Sequence, residues 1–280
     1  MTQLQAIDYT AADASELFVK SLRETGFGVL KNHPIDKALV ESIYTHWQAF
    51  FDGQLKHDYL YNKGPQDGFF PAAYAESAKG QSVKDIKEYF HYYPWGQCPS
   101  ELKAELGQYY AQARSLACVL LSWVEKHSPP DVAQLYRQPL SSMVFDSDQS
   151  LLRVLHYPPL SGAEEKSAIR AAAHEDINLL TVLPAASEPG LQVLTRAGQW
   201  ADVPCEFGQL IINIGDMLQE ASGHYFPSTS HRVINPENAD MDKSRISLPL
   251  FLHPDPHVIL SDKYTAGSYL NERLTDLGVI

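Results

Sequence analysis

Six short runs decide the fold: LLRVLHY (residues 151–157), LLTVL (179–183), LQVL (191–194), QLIINI (209–214), SHRVI (230–234) and RISLPLFL (245–252). Each is rich in Leu, Ile and Val, and Gly, Pro and Asn punctuate the text between them, the pattern of strands separated by turns. No helical stretch intervenes. The runs therefore predict an antiparallel sandwich or barrel of the jelly-roll kind.

Upstream the period changes. Leu39, Ile43, Trp47, Phe50 and Phe51 recur at helical spacing behind Asp36, an N-capping residue type, and Tyr109, Ala113, Leu116, Ala117, Leu120, Leu121 and Val124 do the same later. Such stripes predict helices whose apolar faces lie on a core. One strand signal accompanies them. Between residues 60 and 100 the text is irregular and aromatic, with GFFPAAY (68–74) and EYFHYYPWG (88–96), a composition suited to lining a pocket. No Pro/Ser-rich linker and no internal repeat divides the chain. The expectation is an α+β protein with a mainly β core: one catalytic unit over 1–280, mainly helical over 1–145, with the jelly-roll core over 146–280.

The 280 residues are 44% hydrophobic and 20% charged, a globular composition long enough to bury a sizeable core. A formal net charge of −12 repels nucleic acid and anionic membranes, and no Lys/Arg run supplies a local basic patch. The opening MTQLQAIDYT lacks the basic and apolar regions of a secretory signal. The longest apolar run, near Leu116 to Val124, is too short to span a bilayer. The chain reads as soluble and cytoplasmic, with neither nucleic acid nor membrane as a partner. Cys98, Cys118 and Cys205 are odd in number and widely spaced, which suits neither a disulfide framework nor a zinc pattern. Cys118, in an apolar helical stretch, reads as core.

His-x-Asp occurs twice, at His174-Glu175-Asp176 and His253-Pro254-Asp255. Residues i and i+2 on a strand, or at its end, project from one side, so an imidazole and a carboxylate can reach one ion. Mononuclear iron(II) oxygenases use two imidazoles and one carboxylate on one face of an octahedron, leaving the other positions open. With eleven histidines a chance His-x-Asp is unsurprising. The second copy lies in HPDPH, where two prolines favour a surface turn. The first stands directly before a convincing strand and is the better pair. His231, which begins the HRVI run, is the candidate third ligand, although each histidine taken singly is more often an ordinary polar residue. Arg245 and Ser247 form an Arg-x-Ser whose guanidinium and hydroxyl point the same way, a pair suited to gripping a carboxylate. An exposed strand with an ordinary salt bridge is the alternative. The strand is very apolar, however, and an inward Arg needs an anionic partner, which a bound dicarboxylate would supply. Pro249 and Phe251 continue that face.

The order His-x-Asp, His, Arg-x-Ser resembles the isopenicillin N synthase-like family of iron(II)- and 2-oxoglutarate-dependent oxygenases. TGFGVLKNHPI (25–35), DIKEYFHYYPWG (85–96), LRVLHYPP (152–159), GLQVLTRAGQWADVP (190–204), GQLIINIGDMLQEAS (208–222), STSHRV (228–233) and the tail YLNERLTDLGVI (269–280) extend the likeness over nearly the whole chain. It implies a double-stranded β-helix flanked by helices from the N-terminal half. It further implies that His174, Asp176 and His231 are the catalytic iron(II) ligands, and that Arg245 and Ser247, with Tyr157 nearby, hold the distal carboxylate of 2-oxoglutarate. Dioxygen, a small-molecule substrate and ascorbate as reductant are the implied partners. Oxidative decarboxylation to succinate would drive hydroxylation, desaturation or ring formation. ASGHYFPSTSHRV (221–233) departs from the Thr-Asn-Gly turn and basic residue of many relatives, which bears on the substrate.

Three other readings stay open: an oxidase of the same fold that consumes oxygen without 2-oxoglutarate, a non-catalytic jelly-roll binding module, and, with less support from the donor set, a zinc hydrolase. Phe69, Phe70, Tyr89, Phe90 and Phe251 fit an aromatic pocket wall or ordinary core equally.

Overall fold

The computed structural model describes residues 4–74, 84–165, 167–204, 206–236, 240–276 and 278. Strands β1 (Ala6–Asp8) and β2 (Phe27–Lys31) flank helix α1 (Ala14–Thr25). Helix α2 (Lys37–Asp52) leads to β3 (Gly68–Phe70) and β4 (Glu88–Tyr92). The long α3 (Ser100–Lys126) and two single turns, α4 (Pro130–Ala133) and α5 (Ser142–Phe145), precede β5 (Leu151–Tyr157). Then come β6 (Ala171–His174), β7 (Leu180–Pro184), β8 (Leu191–Leu194), β9 (Trp200–Asp202), β10 (Leu210–Ile214), α6 (Asp216–Ala221), β11 (His231–Val233), β12 (Arg245–Ser247), β13 (Leu250–Leu252) and α7 (Ala266–Asp276).

The strands form two sheets. The larger runs β1-β2-β10-β7-β13-β5-β4-β3, with β12 also paired to β5, and the smaller runs β6-β11-β8-β9. Apart from the parallel β1–β2 pair, the ladders are antiparallel. This is the expected mainly β core of jelly-roll class with helices laid against it.

Alternation along the larger sheet decides what faces where. Leu152 and Val154 of β5, Leu180 and Val182 of β7 and Leu210, Ile212 and Ile214 of β10 pack in one cluster with Phe18, Leu22, Ile43, Trp47, Leu116 and Leu120 of the helices. Leu155, Tyr157, Leu183 and Ile211 point the other way, joining Phe27, Val29 and the smaller-sheet residues Ala171, Leu191, Val193 and Val233. Helices therefore cover one face and the smaller sheet the other. Both helical stripes are buried as their spacing predicts. Asp36 caps α2 by accepting hydrogen bonds from the amides of Ala38 (2.9 Å) and Leu39 (3.4 Å), a contribution of about 1 kcal/mol.

The first half holds more strand than the one expected. The aromatic segment supplies β3 and β4, which extend the sheet beyond β5. With both faces covered, these strands lack the polar alternation that would announce them. The alanine-rich β6 and the short WAD of β9 are also strands, carried by pairing rather than propensity. RISLPLFL, one run in the sequence, is two strands. Pro249 separates them, and its carbonyl accepts from the amide of Arg153 at 3.0 Å. Cys118 is half-buried against the core, and Cys205 lies outside the described residues. Among the described residues no helix is long and apolar enough to cross a membrane.

Candidate metal centre

β6 ends on His174 and β11 begins on His231, and the two are cross-strand partners. Three steps on β6, from His174 back to Ala171, oppose two on β11, from His231 to Val233. The extra β6 residue is a bulge, a device that re-aims side chains. Asp176 follows two residues beyond the strand end. Its carboxylate and the two imidazoles offer ligand atoms that all lie within 4.8 Å of one another. Nε2 of His231 is 3.7 Å and Nε2 of His174 3.9 Å from Oδ1 of Asp176.

Neighbouring groups orient all three. Nδ1 of His174 contacts the carbonyl of Ala172 at 2.8 Å, and Nδ1 of His231 that of Thr229 at 3.1 Å. A carbonyl only accepts, so each Nδ1 carries the proton and each Nε2 keeps its lone pair for a metal. Oδ2 of Asp176 accepts from the Thr181 hydroxyl and, at 2.8 Å, from Nδ2 of Asn213. Nδ2 of Asn178 donates to Thr181 Oγ1 at 2.9 Å and fixes that hydroxyl's direction. Oδ1 is left facing the imidazoles. Burial alone would raise the Asp176 carboxyl, but His231, His174 and the two donors outweigh it and hold it below the usual carboxylate value. Desolvation, then His231, lowers His174 to about 4. It is neutral at pH 7, as a ligand must be, although 43% of its side chain remains open to solvent.

On the same inner face, β12 lies against β5 with Arg245 opposite Tyr157 and Ser247 opposite Leu155. The Arg245 guanidinium carbon is 5.1 Å from the Tyr157 ring centroid. Arg245 and Ser247 are buried, which removes the exposed-strand alternative. Nε of Arg245 donates to the carbonyl of Glu188 at 2.8 Å, whereas its buried Nη1 has no hydrogen-bond partner among the described residues. A buried guanidinium nitrogen without an acceptor fits a site where an incoming carboxylate supplies one. Two free imidazole nitrogens beside one anionic oxygen likewise fit a divalent metal of the iron class.

The second His-x-Asp does not assemble. Asp255 is exposed and accepts from the amide of His257 at 2.9 Å, while His253 is half-buried and lowered to about 4 by desolvation. The five aromatics divide by strand parity. Phe69 and Phe90 belong to the helix-side core, Phe70 and Tyr89 to the inner face, and Phe251 packs over Arg153, 5.5 Å from its guanidinium carbon. Thr181 and Asn213 went unread in the sequence. Their signal was available: each is the lone polar residue at an inward position of an apolar run.

Residues 148–254 match the 2OG-Fe(II) oxygenase superfamily, and residues 3–109 match the N-terminal family of the non-haem dioxygenases in morphine synthesis. A Shewanella oneidensis protein described as an oxygenase has a crystal structure that is 61% identical, covers 100% of both chains and superposes with a TM-score of 0.91. A protein of the 2OG-Fe(II) oxygenase family from Caulobacter crescentus is 30% identical over 99% of this chain and 100% of its own, with a TM-score of 0.82. Isopenicillin N synthase from Amycolatopsis lactamdurans is 25% identical over 89% of this chain and 81% of that enzyme. By these relatives and the family match, the chain belongs to the 2OG-Fe(II) oxygenase superfamily and is an iron(II)- and 2-oxoglutarate-dependent dioxygenase.

Proposed function

We propose that the protein hydroxylates a small molecule, with His174, Asp176 and His231 as the iron ligands and with Arg245, Ser247 and Tyr157 holding the distal carboxylate of 2-oxoglutarate. The observation that carries this is one inner face bearing both the converging donors and a buried guanidinium nitrogen in want of an acceptor. When bound, iron(II) and 2-oxoglutarate supply the oxidising chemistry, with dioxygen consumed and the keto acid leaving as succinate and carbon dioxide.

The chain's own work is orientation and exclusion of water. The carbonyls of Ala172 and Thr229 hold the imidazole rings in the tautomer that presents Nε2. Thr181 and Asn213 occupy one carboxylate oxygen of Asp176 and free the other. Phe27 stands edge-on to His231, with ring centroids 5.6 Å apart, and with Leu183, Val193 and Ile211 it keeps this end of the interior apolar. Arg153 and the two rings it lies over, Tyr89 and Phe251, are the side chains we assign to the substrate.

On this reading the whole chain is one cytoplasmic catalytic unit, with ascorbate as the external reductant. The shared core of Phe18, Trp47 and Leu120 with Val182, Ile212 and Leu250 supports the single unit. The oxidase alternative is disfavoured by the Arg245 nitrogen, which a mechanism without a dicarboxylate leaves unused. The test is a panel of small molecules offered to iron-loaded protein with 2-oxoglutarate, reading succinate and oxygen together. Succinate released in step with oxygen is the expected result. Oxygen uptake without succinate points to the oxidase, and no anaerobic iron(II) binding points to a binding module. A His174→Ala protein that still turned over 2-oxoglutarate at the native rate would sink the ligand assignment.

A further inference from the structure

We propose that Arg170 is a second binding residue for the distal carboxylate of 2-oxoglutarate, acting beside Arg245, so that the site selects keto acids carrying a second carboxylate. This rests on the iron and 2-oxoglutarate chemistry proposed above. Arg170 immediately precedes β6, and at 1% exposure it is as deeply buried as Arg245 at 2%. The two are anchored in one corner of the fold. Nη2 of Arg170 donates to the carbonyl of Lys243 at 2.7 Å, two residues before Arg245 in the chain, and Nε of Arg245 donates to the carbonyl of Glu188. The backbone of Arg170 is pinned as well: its amide donates to Oδ1 of Asn235 at 3.0 Å, and Nδ2 of Asn235 donates to the carbonyl of Ala168 at 2.8 Å.

Neither anchor carries charge, so neither neutralises its guanidinium. Each guanidinium also keeps one buried nitrogen without an acceptor among the described residues, Nε of Arg170 and Nη1 of Arg245. Desolvation and then the charge of Arg245 pull Arg170 below the usual arginine value, with Tyr157 and Glu188 acting in the opposite sense. Glu188 is half-buried, and its single carboxylate is shared by Arg170 and Lys243, while Arg245 takes its backbone carbonyl. The corner is left with an excess of positive charge away from water, a state that calls for a further anion. An incoming carboxylate offers about four lone-pair positions on two oxygens, enough for both arginines and the hydroxyls of Tyr157 and Ser247. A helper that only pinned the backbone would have no need of a cation here.

The experiment is calorimetric binding of two ligands to Mn(II)-loaded protein. One is 2-oxoglutarate; the other is 2-oxobutyrate, which shares the keto acid head and lacks the distal carboxylate. Arg170→Gln should weaken 2-oxoglutarate by about tenfold or more, and Arg170→Lys, which keeps charge and bulk but loses the fork, by about fivefold. Binding of 2-oxobutyrate should stay within about twofold in both. Should Arg170→Gln fail to fold, Arg170→Lys decides alone. Binding of 2-oxoglutarate within about twofold of wild type in either folded variant overturns the assignment, and so does an equal loss for both keto acids. Wild-type protein that binds no 2-oxoglutarate at all sinks the underlying chemistry instead.

Discussion

Gly26 and Thr229 are packed so closely that a Cβ on Gly26 would fall 2.2 Å from the Thr229 hydroxyl and 2.8 Å from the carbonyl of Pro227. Gly26 also adopts a φ of 75° where α1 ends, in the left-handed region that favours glycine. Thr229 is the residue whose carbonyl fixes the His231 ring. Closure of the first helix and orientation of a candidate metal ligand thus depend on one missing methyl group.

Gly26→Ala should therefore lower stability by about 1–3 kcal/mol from backbone strain alone, and more from the clash. It should also weaken metal binding, because relief of the clash moves Thr229. Urea unfolding of the metal-free protein and anaerobic Fe(II) titration measure the two effects. An alanine variant with unchanged metal affinity would uncouple the helix end from the site.

Thr181→Val and Asn213→Ala each remove one donor to Oδ2 of Asp176 while leaving all three candidate ligands in place. Each should reduce metal affinity by about 10- to 100-fold, the usual effect of losing an outer partner. Mn(II) titration followed by electron paramagnetic resonance reads this directly. Native affinity in both variants would mean that the carboxylate needs no such support.

Arg245→Ala should weaken 2-oxoglutarate by about 10- to 100-fold, the scale of charge-assisted hydrogen bonds, while Mn(II) affinity stays nearly constant. Loss of metal and cosubstrate together would show that Arg245 holds the fold rather than the ligand.

Acid should destabilise the metal-free protein in a definite window. Desolvation lowers His253 to about 4, and His174 is lowered to about 4 as well, from an ordinary 6.5. Between these values the unfolded chain binds more protons than the native one, so stability falls as pH drops from 6.5 and the loss is complete near 4. Asp176, held below the ordinary carboxylate value, contributes stability that disappears only at lower pH still. The melting temperature should decline across pH 6.5 to 4, less steeply in His253→Gln. A flat profile in that window contradicts the assignment of two neutral histidines.

Much of this was legible in the chain. The helix over α2 could be read because Asp36 announces its start and Leu39, Ile43 and Trp47 keep one period. The β core could be read because turn residues punctuate it. The choice of His174-Glu175-Asp176 over His253-Pro254-Asp255 followed from the two prolines beside the latter. β3 and β4 were hidden, since Phe69 and Phe90 go to one apolar face and Phe70 and Tyr89 to another, and alternation between two buried faces leaves no polar trace. Arg170 was hidden for a different reason. Nothing local distinguishes a buried arginine from a surface one.

Spacing and residue type, which are properties of the chain alone, pointed to the candidate donor set and the Arg-x-Ser pair and decided the class of fold, because those depend on periodicity and on chemistry carried within a few residues. The convergence of His231 with His174 and Asp176, the partners on Oδ2 of Asp176 and the corner shared by Arg170 and Arg245 were settled only when distant strands paired. Register, a bulge and the packing of two sheets select among contacts that the order of residues leaves equally open.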